Sequence, residues 1–305
     1  MKPLTTNDGS KTQLSRRAFL KQSALATAAF GIAASQSFAA DVPSSPRFPL
    51  MGFTKPFQKL TAEQTAELVA TVGWDGVEIP VRAKGQIEPE RASDELPKFS
   101  EALRKQKREI YLVATDITSM TTPHTEAVLR TMAKLGIRRF RLGHITYTAD
   151  KSPADRLKEI ADACKDLGLQ AGFQNHSGRQ NVGAPVWDVF SMIHDLDPRH
   201  IGFYFDIGHA TIEGGLSWPT EARLAEPFYT VVLVKDFYWK KEASGWRDTW
   251  CPLGEGMVSR TFFDRLKKSS YRGPIGQHHE YNVGEGQQLI ANLQPDLKVL
   301  KDWLA

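Results

Sequence analysis

The chain reads as an α/β protein with a (β/α)8 barrel, the TIM-barrel architecture, over residues 48–305. Three observations predict it. Short β-rich runs alternate with helical patterns along the whole segment. Eight of each fit into about 250 residues, the usual length of such a barrel. The first β-rich run is not followed by the G-x-G-x-x-G turn of an open dinucleotide-binding sheet.

The strands are expected at 48–53, 75–80, 109–115, 138–143, 169–174, 201–206, 229–235 and 274–280. Each is a short apolar run bounded by turn residues. Helical periodicity fills 61–72, 92–107, 121–135, 152–167, 185–196, 218–226, 259–268 and 287–304. Thr61 with Gln64 and Ser152 with Asp155 have the spacing of helix N-terminal caps. Gly136 and Gly168 stand where helices should stop.

The segment before the barrel has a different character. Ser15-Arg16-Arg17-Ala18-Phe19-Leu20-Lys21 is a twin-arginine motif, followed by a weakly apolar stretch and by Ser37-Phe38-Ala39, with small residues at −3 and −1 of a cleavage site. Residues 1–39 are therefore expected to be a twin-arginine (Tat) export signal, with the Tat translocase as a transient partner and the periplasm as destination. Residues 40–47 read as a linker. The formal net charge of +4 divides at this boundary. Residues 1–39 carry five basic side chains against one acidic one, and the rest carries 34 of each. The barrel segment thus lacks the basic excess that nucleic-acid backbone binding requires. It has no apolar run near 18 residues, so no membrane span is expected. The two cysteines, Cys164 and Cys251, form no disulfide framework.

Active sites of such barrels lie at the C-terminal ends of the strands. Five of the eight histidines fall there: His144 after the fourth strand, His176 after the fifth, His209 after the sixth, and His278 and His279 on the eighth. Gln174, Asp206, Lys235 and Glu280 join them. Side chains alternate along a strand, so Glu280 and His278 should share the mouth while His279 turns outward. Asp206 and His209, three residues apart, can reach one metal ion or one sugar hydroxyl, and imidazole with carboxylate suits Zn²⁺ or Mn²⁺. The segment 237–258 reads as a long loop over the mouth. Its Trp239 and Trp246 could stack on the apolar face of a sugar ring, with Arg247 beside them, or simply pin the loop to the rim.

The ordered motifs carry a resemblance. Gly73-Trp74-Asp75-Gly76-Val77-Glu78, Asn175-His176, Asp206-x-x-His209, Lys235-Asp236, Pro252-Leu253-Gly254-Glu255-Gly256 and Gly273-Pro274-Ile275 running on to Glu280-Tyr281 are similar to those of the xylose isomerase-like TIM-barrel superfamily, which includes sugar phosphate isomerases, epimerases and family 2 AP endonucleases. The resemblance covers essentially 48–305. It implies a divalent metal ion (Mn, Mg or Zn) held by Glu, Asp, His and Glu at the ends of the fifth to eighth strands, with acids moving a proton beside a sugar carbonyl. Asp206 and Glu280 match two of these positions. Gln174 and Leu233 stand at the other two. Gln174 retains an oxygen but cannot act as a base near neutral pH, and Leu233 cannot ligate.

Two designs remain open. One is a rebuilt metal site from Asp206, Glu280, His209 and His176. The other lacks a metal, with Lys235 polarising the carbonyl and Glu280 or His176 moving the proton. Gln174, His144, His209 and His278 are expected to face the substrate. The function implied is an exported sugar or keto-sugar isomerase or epimerase. The alternatives are a lyase or dehydratase on a keto-inositol or 3-keto-glycoside, and a sugar-binding barrel whose catalytic set has decayed. The extra histidines of an AP endonuclease-like nuclease are missing.

Overall fold

The computed structural model describes residues 48–147 and 153–305. The export signal, the linker and the Ser152 cap all lie outside these residues.

Eight parallel strands close into a barrel: β1 (Leu50–Phe53), β2 (Gly76–Val81), β3 (Glu109–Thr115), β4 (Arg139–Arg141), β5 (Gln170–Gln174), β6 (Ile201–Asp206), β7 (Tyr229–Val234) and β10 (Ile275–Gln277), which pairs back to β1. All eight expected strands are present. The helices over them are α1 (Ala62–Val72), α2 (Ala92–Lys105), α3 (Thr125–Leu135), α4 (Ala154–Leu167), α5 (Val186–Ile193), α7 (Trp218–Ala225), α8 (Thr261–Lys268) and α9 (Gly286–Leu304). The Thr61 hydroxyl accepts from the Gln64 amide while the Gln64 side chain accepts from the Thr61 amide, which closes the expected capping box on α1. Gly136 and Gly168 end α3 and α4 in the left-handed conformation, as a C-cap requires.

Two elements depart from expectation. A short helix, α6 (Ile207–Gly214), starts directly at the end of β6. Asp206 ends the strand and caps this helix at once, its carboxylate accepting from the His209 amide at 3.1 Å. The loop expected after β7 is instead an antiparallel hairpin, β8 (Asp236–Glu242) paired with β9 (Gly245–Cys251). Its strands carry runs of aromatic residues (237–239) and of charged ones (240–242) in place of an apolar alternation, and most of its residues on both faces are exposed or half-buried.

The interior explains where the chemistry sits. Met51, Leu112, Tyr204, Val231 and Leu233 form a buried cluster inside the barrel. A two-residue step along the same strands carries each inward position to the mouth. Tyr204 leads to Asp206, Leu233 to Lys235 and Gly172 to Gln174. The apolar layer thus floors a polar one. Gly172 is required at its position because a Cβ there would meet the Tyr204 ring at 2.2 Å.

Candidate active site

The deepest polar group is an ion network spanning the barrel. The Arg141 guanidinium donates to Glu78 through Nε at 2.8 Å and to the Gln174 side-chain oxygen through Nη1 at 2.7 Å. Glu78 also pairs with His278 Nε2 at 2.6 Å. Burial alone would raise the Glu78 pKa, but Arg141 and His278 outweigh it and hold the carboxyl at about 2. Gln174 passes the network on, its amide nitrogen donating to Asp206 Oδ2 at 2.8 Å. Asn175 locks the Asp206 backbone from both sides, accepting from its amide and donating to its carbonyl.

Above this network lies the mouth. Lys235 is buried at 4% exposure, with Nζ 3.3 Å from Asp206 Oδ2 and 4.0 Å from Glu280 Oε1. The Trp250 ring covers the ammonium at 4.7 Å, a cation–π contact that also shields it from water. Glu280 is half-buried and accepts from Lys55 Nζ through its other oxygen at 2.7 Å. Against the upward pull of burial, Lys235 and Lys55 hold the Glu280 carboxyl at about 2.

Three histidines follow the adjoining strands β4, β5 and β6. His144, with its outer edge exposed, meets His176 edge-on at 4.5 Å, and His176 lies 3.9 Å from His209. Burial and then the charge of Lys235 bring His176 down to about 3 and keep His209 far below the ordinary range. All three rings are neutral at physiological pH, since His144 is lowered to about 4. Ser177 Oγ pairs with His209 Nδ1 at 2.8 Å. His209 Nε2 is buried without a hydrogen-bond partner, which leaves it free for a ligand.

The hairpin stands beside the mouth. Asp236 ties its base, accepting from the amides of Phe237, Gly254, Gly256 and Val258, so it caps a loop. Gly256 has to be glycine there, because a Cβ would meet Asp236 Oδ1 at 2.3 Å. Arg247 lines a cleft of about 420 Å³ shared with Trp250, Glu280 and Asn282. Trp239 and Trp246 alternate onto the other face of the ribbon, and Trp246 is 67% exposed.

These positions correct several expectations. His278 turns inward as expected, but its ring is committed to Glu78 and stacked on Phe53 at 4.7 Å, so it supports the floor. The four residues expected to form a rebuilt metal site do not form a donor cluster: among the described residues no group of three or more His, Cys, Asp or Glu side chains could hold a metal ion. The donor chemistry agrees. Arg141 consumes the Gln174 oxygen, so Gln174 presents N–H donors to Asp206. An ammonium lies between the two matching acids. Leu233 belongs to the apolar floor. A divalent cation does not fit this donor set. Arg141, Lys55 and Ser177 are site residues that the sequence did not single out, whereas Glu78 stands in a motif that carries the resemblance and Trp250 in the segment expected over the mouth. Period-two counting back from the strand ends would have pointed to Arg141, whereas no local signal marks Lys55, which comes from the turn after β1.

Comparisons with known proteins agree with the fold. The family described as "Xylose isomerase-like TIM barrel" matches residues 66–303. An uncharacterized protein of Methanocaldococcus jannaschii is 26% identical over 151 residues, 49% of this chain, and the match spans about half (50%) of that relative's length. Among solved structures, 3-keto-D-glucoside 4-epimerase from E. coli superposes with a TM-score of 0.64 at 14% identity, covering 84% of this chain and 100% of that one. The probable 3-DHS dehydratase of petrobactin synthesis from Bacillus anthracis gives 0.62 at 14% identity, covering 83% and 99%. At these identities the structural likeness is one of fold.

Proposed function

The chain belongs to the xylose isomerase-like TIM-barrel family, and from that premise we propose that it is a sugar or keto-sugar isomerase or epimerase that moves a proton next to a carbonyl. The observation that carries this reading is the buried Lys235 ammonium flanked by Asp206 and Glu280, with neutral histidines on the adjoining side. A carbonyl oxygen placed against Lys235 Nζ would acidify the neighbouring C–H, because the ammonium stabilises the negative charge that develops on that oxygen. The burial of Lys235 strengthens this effect, since little water screens it.

Glu280 and His176 are the proton carriers in this reading. Their strands lie on opposite sides of β7, with β10 on one flank and β6 and β5 on the other. One group can remove the proton and the other return it, the geometry that inversion of a carbon centre needs. His209 Nε2 and His144 would hold substrate hydroxyls, and Arg247 would line the entrance. The residues recruit no metal ion for these steps.

We also place the protein outside the cytoplasm. The Arg16-Arg17 motif would direct it, already folded, through the Tat translocase to the periplasm, where an unphosphorylated carbohydrate is the expected substrate. Replacing both arginines by lysine should retain uncleaved precursor in the cytoplasmic fraction.

The deciding experiment is exchange of substrate C–H for solvent deuterium across a panel of sugars and keto-sugars. Exchange without change of carbon skeleton, lost in Lys235→Met, supports the proposal. No exchange on any member overturns it, and a product lighter by one water would identify a dehydratase instead.

A further inference from the structure

One charged group at the mouth takes no part in the network described above. Arg82 follows β2 directly, and its guanidinium carbon lies 5.7 Å from the centroid of the Phe53 ring. The same ring packs under Arg141 at 5.3 Å and against His278 at 4.7 Å, which places Arg82 beside the mouth network. Arg82 is half-buried, yet its guanidinium has no hydrogen-bond or ion-pair partner among the described residues. The cations around the floor network are engaged, Arg141 by Glu78, Lys235 by Asp206 and Lys55 by Glu280, whereas Arg247 stands apart on the exposed hairpin. Asp116, an acid outside that set whose charge also acts on Arg82, spends Oδ2 on the Ala83 amide. Burial and then the like charge of Arg141 work against the protonated form of Arg82, and the more distant charges of Glu78, Asp116 and Glu280 offset them only in part. A partly desolvated guanidinium with its N–H groups unpaired, beside a second guanidinium, gains from an anion that bonds to it directly.

We infer that Arg82 receives a carboxylate of the substrate, so that the preferred substrate is a sugar acid or keto-acid sugar and not a neutral sugar. A single planar fork matches a carboxylate through two parallel N–H···O bonds. A phosphate ester would call for more free positive charge than Arg82 alone supplies. With the carboxylate on Arg82, the remaining carbon chain would extend toward Glu280 and Lys235, whose charged groups lie 4.0 Å apart. The inference rests on the carbohydrate reading of the site and adds its charge class.

The test is calorimetric binding of three matched probes to the full chain: D-fructuronate, D-fructose and D-fructose 6-phosphate. The uronate should bind about 10- to 100-fold more tightly than the neutral ketose, the range expected for a hydrogen-bonded charge pair. Arg82→Gln should collapse that ratio to near one. Arg82→Lys, which keeps the charge but loses the fork, should leave an intermediate ratio. Equal affinities, no uronate binding, a ratio that survives Arg82→Gln, or a preference for the phosphate ester would each overturn the inference. Binding is read here without turnover. Absence of deuterium exchange would sink the isomerase reading and leave this one standing, and equal affinities would do the reverse.

Discussion

The floor network and the hairpin are both built from polar and aromatic residues around one mouth, and they are organised in opposite ways. In the floor, every charge of Glu78, Arg141 and Asp206 is buried and hydrogen-bonded. In the hairpin, Tyr238, Trp239 and Trp246 are exposed and Phe237 is its one fully buried aromatic ring. Complete pairing holds the floor in one geometry, because breaking any contact leaves a buried charge without a partner. The hairpin has no such constraint and can adjust its outer side chains at little cost. The floor therefore suits the fixed work of holding Lys235 and Asp206, and the hairpin suits contact with a ligand that comes and goes.

The comparison is most sharply broken in the floor. Arg141→Met leaves the buried Glu78 with His278 as its one remaining partner among the described residues and frees the Gln174 oxygen, and chemical denaturation should show a loss of about 3–5 kcal/mol. Lys235→Met should lower kcat about 10²- to 10³-fold, as for loss of a group that stabilises a developing oxyanion. In the same variant, NMR titration should find the His176 pKa above its present value of about 3, because one of the two main causes of its depression is gone.

Acid should act on the floor through stability before it acts on catalysis. His176 is lowered from 6.5 to about 3 and Glu78 from 4.5 to about 2. Both groups bind protons more readily when unfolded, so both contributions are full above the unfolded pKa and are lost as pH falls. Melting temperature should decline from pH 6.5 downward and more steeply below 4.5. The kcat profile should show no histidine inflection between pH 6 and 7. An inflection there would mean that His176 carries a proton at neutral pH.

The smallest effects belong to the ribbon, and they divide within it. Trp250→Ala removes the cover over Lys235 and should cost about 2 kcal/mol. Trp246→Ala should change stability by less than about 0.5 kcal/mol, the usual range for exposed positions. If the two variants were equally destabilised, the distinction between a packed base and an adaptable outer ribbon would fail.

The strand and helix order was legible because each element carries its own period and its own stop, as Thr61, Gly136 and Gly168 show. The clustering of Asp206, His209, Lys235 and Glu280 followed from strand-end position alone, since the fold gathers those ends in one place. The hairpin was less legible: exposed on both faces, it lacks the buried stripe that gives strands their sequence signal.

What the sequence by itself determined is the barrel, the order of its strands and which residues reach the mouth, because side-chain alternation and capping are local rules. Tertiary structure alone decided how those residues spend their bonds. Gln174 could have offered either its oxygen or its nitrogen to Asp206. Arg141, 33 residues away in the chain, takes the oxygen and leaves the nitrogen. Lys235 could have pointed past the acids, but Trp250 and Asp206 hold it between them. Those choices depend on pairings across the barrel, and a hydrogen-bond acceptor already used by a distant cation cannot be recognised from its neighbours in sequence.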